Sequence, residues 1–450
     1  MKKIIDFFIN LQTLKEKKRR GWVVHQIGNS ESTASHIFRM SILGWILGKK
    51  RNMNIEELLK MALIHDVCEV FALDETPYDP LLPKNINSPK AQNEALKILE
   101  KWPKFSLSQK KEKVLKKKER EWRACQKLFF YLPPDLKKEL EHLWEVFEEG
   151  LTKEGRFLKQ VDKAENFLQG MEYWEKYGRI QRDLWIRWAR EIFDDPILIK
   201  FEKAVERRFY EKRSTDGEMQ RILEFLIKLG KLKRIEREGW ILRKVPQPET
   251  IADHCFSTAI MGWILSTKRK DLDKEKIIKI SLIHKFPKVY TPEFTPYDSV
   301  LPNPRREIRE MIENPSKFSQ EIRDEVLARA KKVYKIWPKF SKKTKEKIFE
   351  REYKIEKRAL EKLISFLPPD LREEISSLWE DFKKGLSKEG RFVYQVKKFE
   401  ELLQALQYAQ RDKNFPLGPW WMEIREKIDD PCLINLIEVL SKMDISKTKN

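Results

Sequence analysis

The chain is written twice, and a chain written twice folds as two units of one architecture. The segment GWVVHQIGNSESTASHIFRMSILGWIL, from Gly21, returns as GWILRKVPQPETIADHCFSTAIMGWIL, from Gly239, and ALIHDVCEVFALDETPYDPLLP returns as SLIHKFPKVYTPEFTPYDSVLP. KWPKFS, YLPPDLKKEL and TKEGRFLKQVDKAENFLQGMEY come back in the same order as IWPKFS, FLPPDLREEI and SKEGRFVYQVKKFEELLQALQY. The offset is 218 residues between His36 and His254, 219 between His65 and His284, and 235 between Gly155 and Gly390, so the second copy has gained residues between its middle blocks. Each copy is the size of a domain. The polar stretch YEKRSTDGEMQ around residues 210–220 has the turn chemistry of a linker, which predicts a first domain over residues 1–212 and a second over 218–450.

Both copies read as all-α. Only 15 glycines in 450 residues leave few tight turns, no alternating strand pattern appears, and 14 Trp and 25 Phe provide ample core for two helical bundles. In the first copy, Glu31 and Ser32 precede an apolar-periodic run from Ala34 to Leu47, a helix entered through a capping residue with His36 in its first turn. A second helix is expected from Ile55 through Val70, with Leu58, Leu59, Ala62, Leu63 and Val67 as its buried stripe and His65 and Asp66 near its end. Pro77, Pro80 and Pro83 then enforce a loop, and a later helix from Arg156 to Trp174 carries Asp162.

The formal charge of +21 raises a nucleic-acid partner, with Trp102, Trp122 and Trp337 as stacking platforms. It is the weaker reading. Lys and Arg alternate with Glu in segments such as KKEKVLKKKEREW, as on solvated helix faces with i,i+4 pairs, and the tryptophan of the repeated WPKFS block is expected in the core. Cys68, Cys125, Cys255 and Cys432 lie far apart without CxxC spacing, so they are expected to be buried thiols. No run of 18 apolar residues occurs, which predicts no membrane partner and a soluble, cytoplasmic protein.

Histidine is scarce, six in the whole chain, so its placement carries weight. A lone histidine on a helix is more often a core or surface residue than a ligand. Adjacent His65 and Asp66 at the end of an apolar stripe shift that balance, because charge there is costly unless paired or bound to metal. With His36 and Asp162 they make two imidazoles and two carboxylates, a donor set suited to one borderline divalent cation. Glu69 follows His65 by one turn, the spacing that holds a water beside a metal.

The first copy resembles the HD-domain phosphohydrolases, and within them the 5′-deoxynucleotidases and their eukaryotic relatives. The matching residues run from Arg19 and Trp22 in RRGW, through Glu31 to His36 in ESTASH and His65, Asp66 and Glu69 in HDVCE, to Asp74, the run TPYD ending at Asp79, and Asp162. The HD doublet alone is a weak signal, whereas the ordered series is a specific one. The resemblance implies a helical HD fold in which His36, His65, Asp66 and Asp162 hold one divalent metal ion, among Mn, Co, Fe, Ni, Zn and Mg. It implies hydrolysis of a deoxynucleoside 5′-monophosphate by an activated water, Glu69 orienting that water and Asp74 helping the proton to the leaving 5′-oxygen, or the reverse. Arg19 is then expected to hold the phosphate, Trp22 to wall the pocket, and Asp79 to add a further substrate contact. The alternatives are an HD-domain nucleotide-binding or regulatory protein and, less favoured, a basic nucleic-acid-binding protein.

The second copy keeps His254 and His284, but Lys285 stands for Asp66, Lys397 for Asp162, Lys288 for Glu69 and Glu293 for Asp74. Two anionic ligands have become cations, so this copy is expected to hold no metal and to turn nothing over. Its persistence fits an intrachain pseudo-dimer partner for the first copy, a phosphate- or nucleotide-sensing site built on Lys285, Lys288 and Lys397, or drift with only the core retained.

Overall fold

The computed structural model describes residues 1–74, 81–83, 88–100, 107–211 and 217–443. Asp79, Trp102 and residues 212–216 of the expected linker lie outside them. The chain is all-α. Outside the helices, the described residues pair as strands at two isolated bridges, Lys18 with Ser32 and Glu236 with Thr250, one at the same position of each repeat. Two compact units emerge, residues 6–233 with 366–368, and residues 1–5 with 234–365 and 369–450.

The helices of the first half are α1 (Lys2–Leu11), α2 (Arg20–Val24), α3 (Thr33–Lys50), α4 (Ile55–Ile64), α5 (Pro89–Glu100), α6 (Leu107–Phe129), α7 (Pro134–Glu149), α8 (Lys153–Tyr177), α9 (Arg182–Ile192), α10 (Pro196–Phe209) and α11 (Glu218–Leu229). By register, α11 and the 3-10 turn Gly230–Lys233 open the second copy, yet they group with residues 6–233. The central helix is α3, apolar nearly all round and packed on α4 and α8. Its start is fixed by Ser32, whose hydroxyl accepts from the Ser35 N–H at 3.0 Å. Helix α7 ends at Gly150, whose φ of 62° is a left-handed cap that glycine adopts without strain. A Cβ on Gly155 would lie 2.5 Å from the Val146 carbonyl oxygen, so only glycine lets α8 begin that close to α7.

One expected helix is broken. The stripe from Ile55 predicted a helix through Val70, but α4 stops at Ile64, His65 caps it, Asp66 leaves helical geometry at φ −109°, and a 3-10 turn follows from Val67 to Val70. Beyond the break, the Lys17 ammonium hydrogen-bonds the carbonyls of Glu69, Val70 (3.3 Å) and Ala72 (3.1 Å), satisfying acceptors that the end of the 3-10 turn leaves open.

The second half repeats the plan with α12 (Glu238–Ile241), α13 (Ile251–Ser266), α14 (Lys274–Ile283), α15 (Arg305–Glu313), α16 (Gln320–Tyr334), α17 (Lys342–Ile364), α18 (Pro369–Lys384), α19 (Lys388–Arg411), α20 (Gly418–Lys427) and α21 (Pro431–Lys442). Here α13 is central, packed on α14 and α19, and is started by a capping box between Thr250 and Asp253. The residues gained by this copy fall in the stretch of α15 and α16, between its TPYD and WPKF blocks.

The charge runs are solvated faces, with i,i+4 pairs such as Lys116 with Glu112 and Lys117 with Glu121 along α6. Three cysteines are buried, but Cys432 is only partly so, because it sits in the first turn of the terminal helix α21. Trp337, expected in the core, is half-buried and edges a cavity. No helix among the described residues is long and apolar enough to cross a membrane.

Candidate metal centre

His36 enters from the first turn of α3, His65 from the cap of α4, Asp66 from the break that follows, and Asp162 from α8. His36, His65 and Asp66 each present a ligand atom within 4.8 Å of the others. The Asp66 Oδ2 lies 3.2 Å from His65 Nε2 and 4.0 Å from His36 Nε2, and Asp162 Oδ1 lies 3.1 Å from His36 Nε2. Both imidazoles are buried, while the two carboxylates keep some exposure and mark the open side.

The donor chemistry suits a cation. His65 Nδ1 is 2.8 Å from the Ala62 carbonyl, which only accepts, so Nδ1 carries the proton and Nε2 is left as a lone pair. His36 Nδ1 is 2.5 Å from Glu165 Oε2, the carboxylate-behind-imidazole arrangement that orients a metal-binding histidine. Both Nε2 atoms are buried and each faces a carboxylate oxygen, at 3.1 Å for His36 and 3.2 Å for His65. A cation between nitrogen and carboxylate would be bound by both.

Charges around the centre are strongly coupled. Burial and Arg19 act to lower the His36 pKa, but Glu165 and Asp162 outweigh them and push it up to about 10. Asp66 is held well below the usual carboxylate range, against its burial, by His65 and Arg19. Glu69 goes the other way, raised by burial and by Asp74 and Asp66 nearby. The Arg19 guanidinium lies 2.6 Å from Asp66 and 3.7 Å from Glu69. Thr33 donates to Glu69 at 2.6 Å, and the Arg20 backbone N–H donates to Asp74 at 2.8 Å. Trp22 is 2% exposed, stacked on Trp185 and edge-on to Tyr173, with its Nε1 donating to Glu31 at 2.9 Å.

Behind the imidazoles lies a layer the sequence reading missed. Arg39 is fully buried and donates to Glu165 at 2.7 Å, Glu172 at 2.6 Å and Gln169 at 2.9 Å. Lys233, 4% exposed, donates to Glu165 at 2.7 Å and Gln169 at 2.6 Å and pairs with Glu31. Buried ions persist when each has several partners. A signal was available: Glu165 returns as Glu400 although Asp162, one turn earlier, does not return as a carboxylate.

In the second unit the frame survives without its acids. His254 Nδ1 is 2.5 Å from Glu400, His284 Nδ1 is 2.6 Å from the Ser281 carbonyl, and Trp240 stacks on Trp420 as Trp22 does on Trp185. Lys285 pairs with Glu293 at 2.6 Å and Lys397 lies 3.4 Å from Glu401. Lys288 turns elsewhere, paired with Glu356 and donating to the Pro292 carbonyl at 2.7 Å.

The HD domain family model matches residues 11–191, 229–350 and 345–418, covering both copies. Among curated proteins the chain is similar to the 5′-deoxynucleotidase HDDC2 of Bos taurus, 26% identical over 220 residues that make up 49% of this chain and 83% of that protein. HDDC2 of Dictyostelium discoideum is 28% identical over 48% of this chain and 95% of its own length. The 5′-deoxynucleotidase hdd1 of Schizosaccharomyces pombe is 30% identical over 43% of this chain and 84% of its own. A repeated helical frame with a buried histidine pair and an adjacent His-Asp doublet, matched by the family along most of its length, makes this chain a member of the HD-domain family of metal-dependent phosphohydrolases.

Proposed function

We propose that the first unit hydrolyses deoxynucleoside 5′-monophosphates to deoxynucleosides and phosphate, with one divalent cation held by His36, His65, Asp66 and Asp162. The observation that carries this reading is the meeting of two buried imidazole Nε2 atoms with two partly exposed carboxylates, 3.1 and 3.2 Å away. The substrate class is supported by the three relatives, each a 5′-deoxynucleotidase. A bound cation supplies positive charge against the phosphoryl oxygens and acidifies water, and the mixed imidazole and carboxylate set suits manganese, cobalt, iron, nickel or zinc better than magnesium.

The chain's own residues supply position and proton traffic. Arg19 holds the substrate phosphate by charge-assisted hydrogen bonds, exchanging its present contact with Asp66 for the phosphoryl oxygens. Hydrolysis forms a bond from water oxygen to phosphorus, breaks the bond from phosphorus to the 5′-oxygen, and must carry the water's proton to that oxygen. We assign this transfer to Glu69 and Asp74. A carboxyl whose pKa is raised by burial and by two neighbouring acids can carry a proton near neutral pH, and that is Glu69. Asp74, oriented by the Arg20 N–H, is its partner. Trp22 acts from behind, fixing Glu31.

The test is phosphate release from a panel of deoxy- and ribonucleoside monophosphates with manganese, cobalt or magnesium added to metal-stripped protein. Cation-dependent release favouring the deoxynucleotides is the expected result. Absence of release from every monophosphate with every cation would sink the nucleotidase reading.

A further inference from the structure

We propose that the second unit is a metal-free binding site for a small phosphate ester, whose phosphate is taken by Lys397, Lys285 and Arg243. The inference stands apart from the activity of the first unit, since it concerns different residues and a different measurement.

The site is a cavity of about 120 Å³ in the second unit, several times the roughly 10–15 Å³ that one water needs. Five cations line it: Arg237, Arg243, Lys285, Lys397 and Lys398. Three carboxylates line it with them, those of Glu293, Glu401 and Glu423, and a fourth, Glu249, lies 3.5 Å from Arg237. The sharing is uneven. Glu401 alone serves Arg237 at 2.9 Å, Lys398 at 3.0 Å and Lys397 at 3.4 Å. Glu293 divides between Lys285 at 2.6 Å and Arg237 at 3.2 Å. Lys397 is thus left with the longest share of an overcommitted carboxylate. Burial pushes its amine down to about 7, with Lys398, Lys285 and Arg237 adding to that against the pull of Glu401.

Arg243 makes no ion pair among the described residues. Its guanidinium lies over the rings of Trp420 at 4.3 Å, Tyr334 at 4.8 Å and Tyr297 at 5.1 Å, it donates to the Gly239 carbonyl at 2.8 Å, and its buried Nε has no partner. Ring contacts orient a cation but do not neutralise it. A phosphate group supplies negative charge to this cation-rich lining and acceptor oxygens for the N–H groups of Lys397 and Arg243. The half-buried Trp337, with Phe294 and Tyr297, edges the same cavity and gives apolar surface to an organic arm, which favours an ester over the free ion.

The experiment is equilibrium binding to the full-length chain in EDTA, by calorimetry and by quenching of tryptophan fluorescence. The probes are inorganic phosphate, deoxyadenosine 5′-monophosphate and deoxyadenosine. The expected order of affinity is the monophosphate, then phosphate, then the nucleoside. Lys397→Ala weakens monophosphate binding by about tenfold or more, a loss of about 1.4 kcal/mol. Every measurement is made in the Arg19→Ala background, which removes the first unit's own phosphate contact, and there Lys397→Arg restores most of the binding. If Lys397→Ala does not fold, Lys285→Met is expected to weaken monophosphate binding in its place. The proposal is overturned if no phosphate-bearing probe binds, if the nucleoside binds as tightly as the monophosphate, or if monophosphate binding survives Lys397→Ala undiminished.

Discussion

One buried histidine occurs twice in this molecule, gripped each time by a buried glutamate, and its protonation is opposite in the two units. His36 is pushed up to about 10, whereas His254 is held well below its ordinary value by burial and then by Arg237, Lys285 and Lys397. The glutamate is the same distance away in both, 2.5 Å. What differs is the far side of the ring, where Asp162 in one unit is Lys397 in the other. A fold can therefore keep the whole scaffold of a metal centre while two side chains invert its electrostatics. The first unit gathers negative charge around its imidazole nitrogens and suits a cation. The second gathers positive charge around the same atoms and suits an anion.

The largest test of this contrast is Asp66→Ala. Metal catalysis is worth several kcal/mol, so hydrolysis is expected to fall about a thousandfold, with bound metal falling together with it in elemental analysis. Retained turnover would break the assignment of the first unit. The contrast can also be reversed: in the double variant Lys285→Asp with Lys397→Asp, metal stoichiometry should rise by one equivalent per chain, because the second unit regains both carboxylates behind an intact histidine pair. An unchanged stoichiometry would show that more than charge separates the units.

Smaller effects belong to the layer behind the imidazoles. Glu165→Gln is expected to weaken metal binding about 10- to 100-fold, the range for groups that orient a ligand. Glu400→Gln, its counterpart, should leave metal binding untouched. Lys233→Met leaves Glu165 and Glu31 short of a buried cation and should cost about 3 kcal/mol or more in stability, read as a lower melting temperature and recovered in part by Lys233→Arg.

The smallest effect is in pH. For metal-free protein, a folded pKa raised above the unfolded value means that His36 contributes stability fully below about pH 6.5, lost as pH rises toward its folded value near 10. His254, with a depressed pKa, contributes above about pH 6.5 and loses that contribution as pH falls. Histidine NMR of the metal-free chain should find His36 still protonated at about pH 8 and His254 titrating below an ordinary histidine. Matching titrations of the two would erase the distinction between the units. Metal binding should release a proton from His36, so affinity for the cation rises with pH.

Much of this was legible in the chain. Two repeated blocks of helical periodicity, few glycines and abundant Trp and Phe determined an all-α fold written twice, because local propensity and apolar spacing are properties of short segments. The residue types His36, His65, Asp66 and Asp162, and their replacement by Lys285 and Lys397, were equally readable, since charge is carried by the residue itself. The end of α4 was not legible, because the apolar stripe runs on through Val67 past the break, and the turn that follows is bound by Lys17, a donor 47 positions before Ile64 that no helix period registers. Nor was the partnership of Lys233 with Glu31 and Glu165, which joins the opening of the second repeat to the heart of the first unit. Only tertiary structure decided which buried charge meets which, because desolvation makes pairing compulsory while leaving the partner's position in sequence unconstrained.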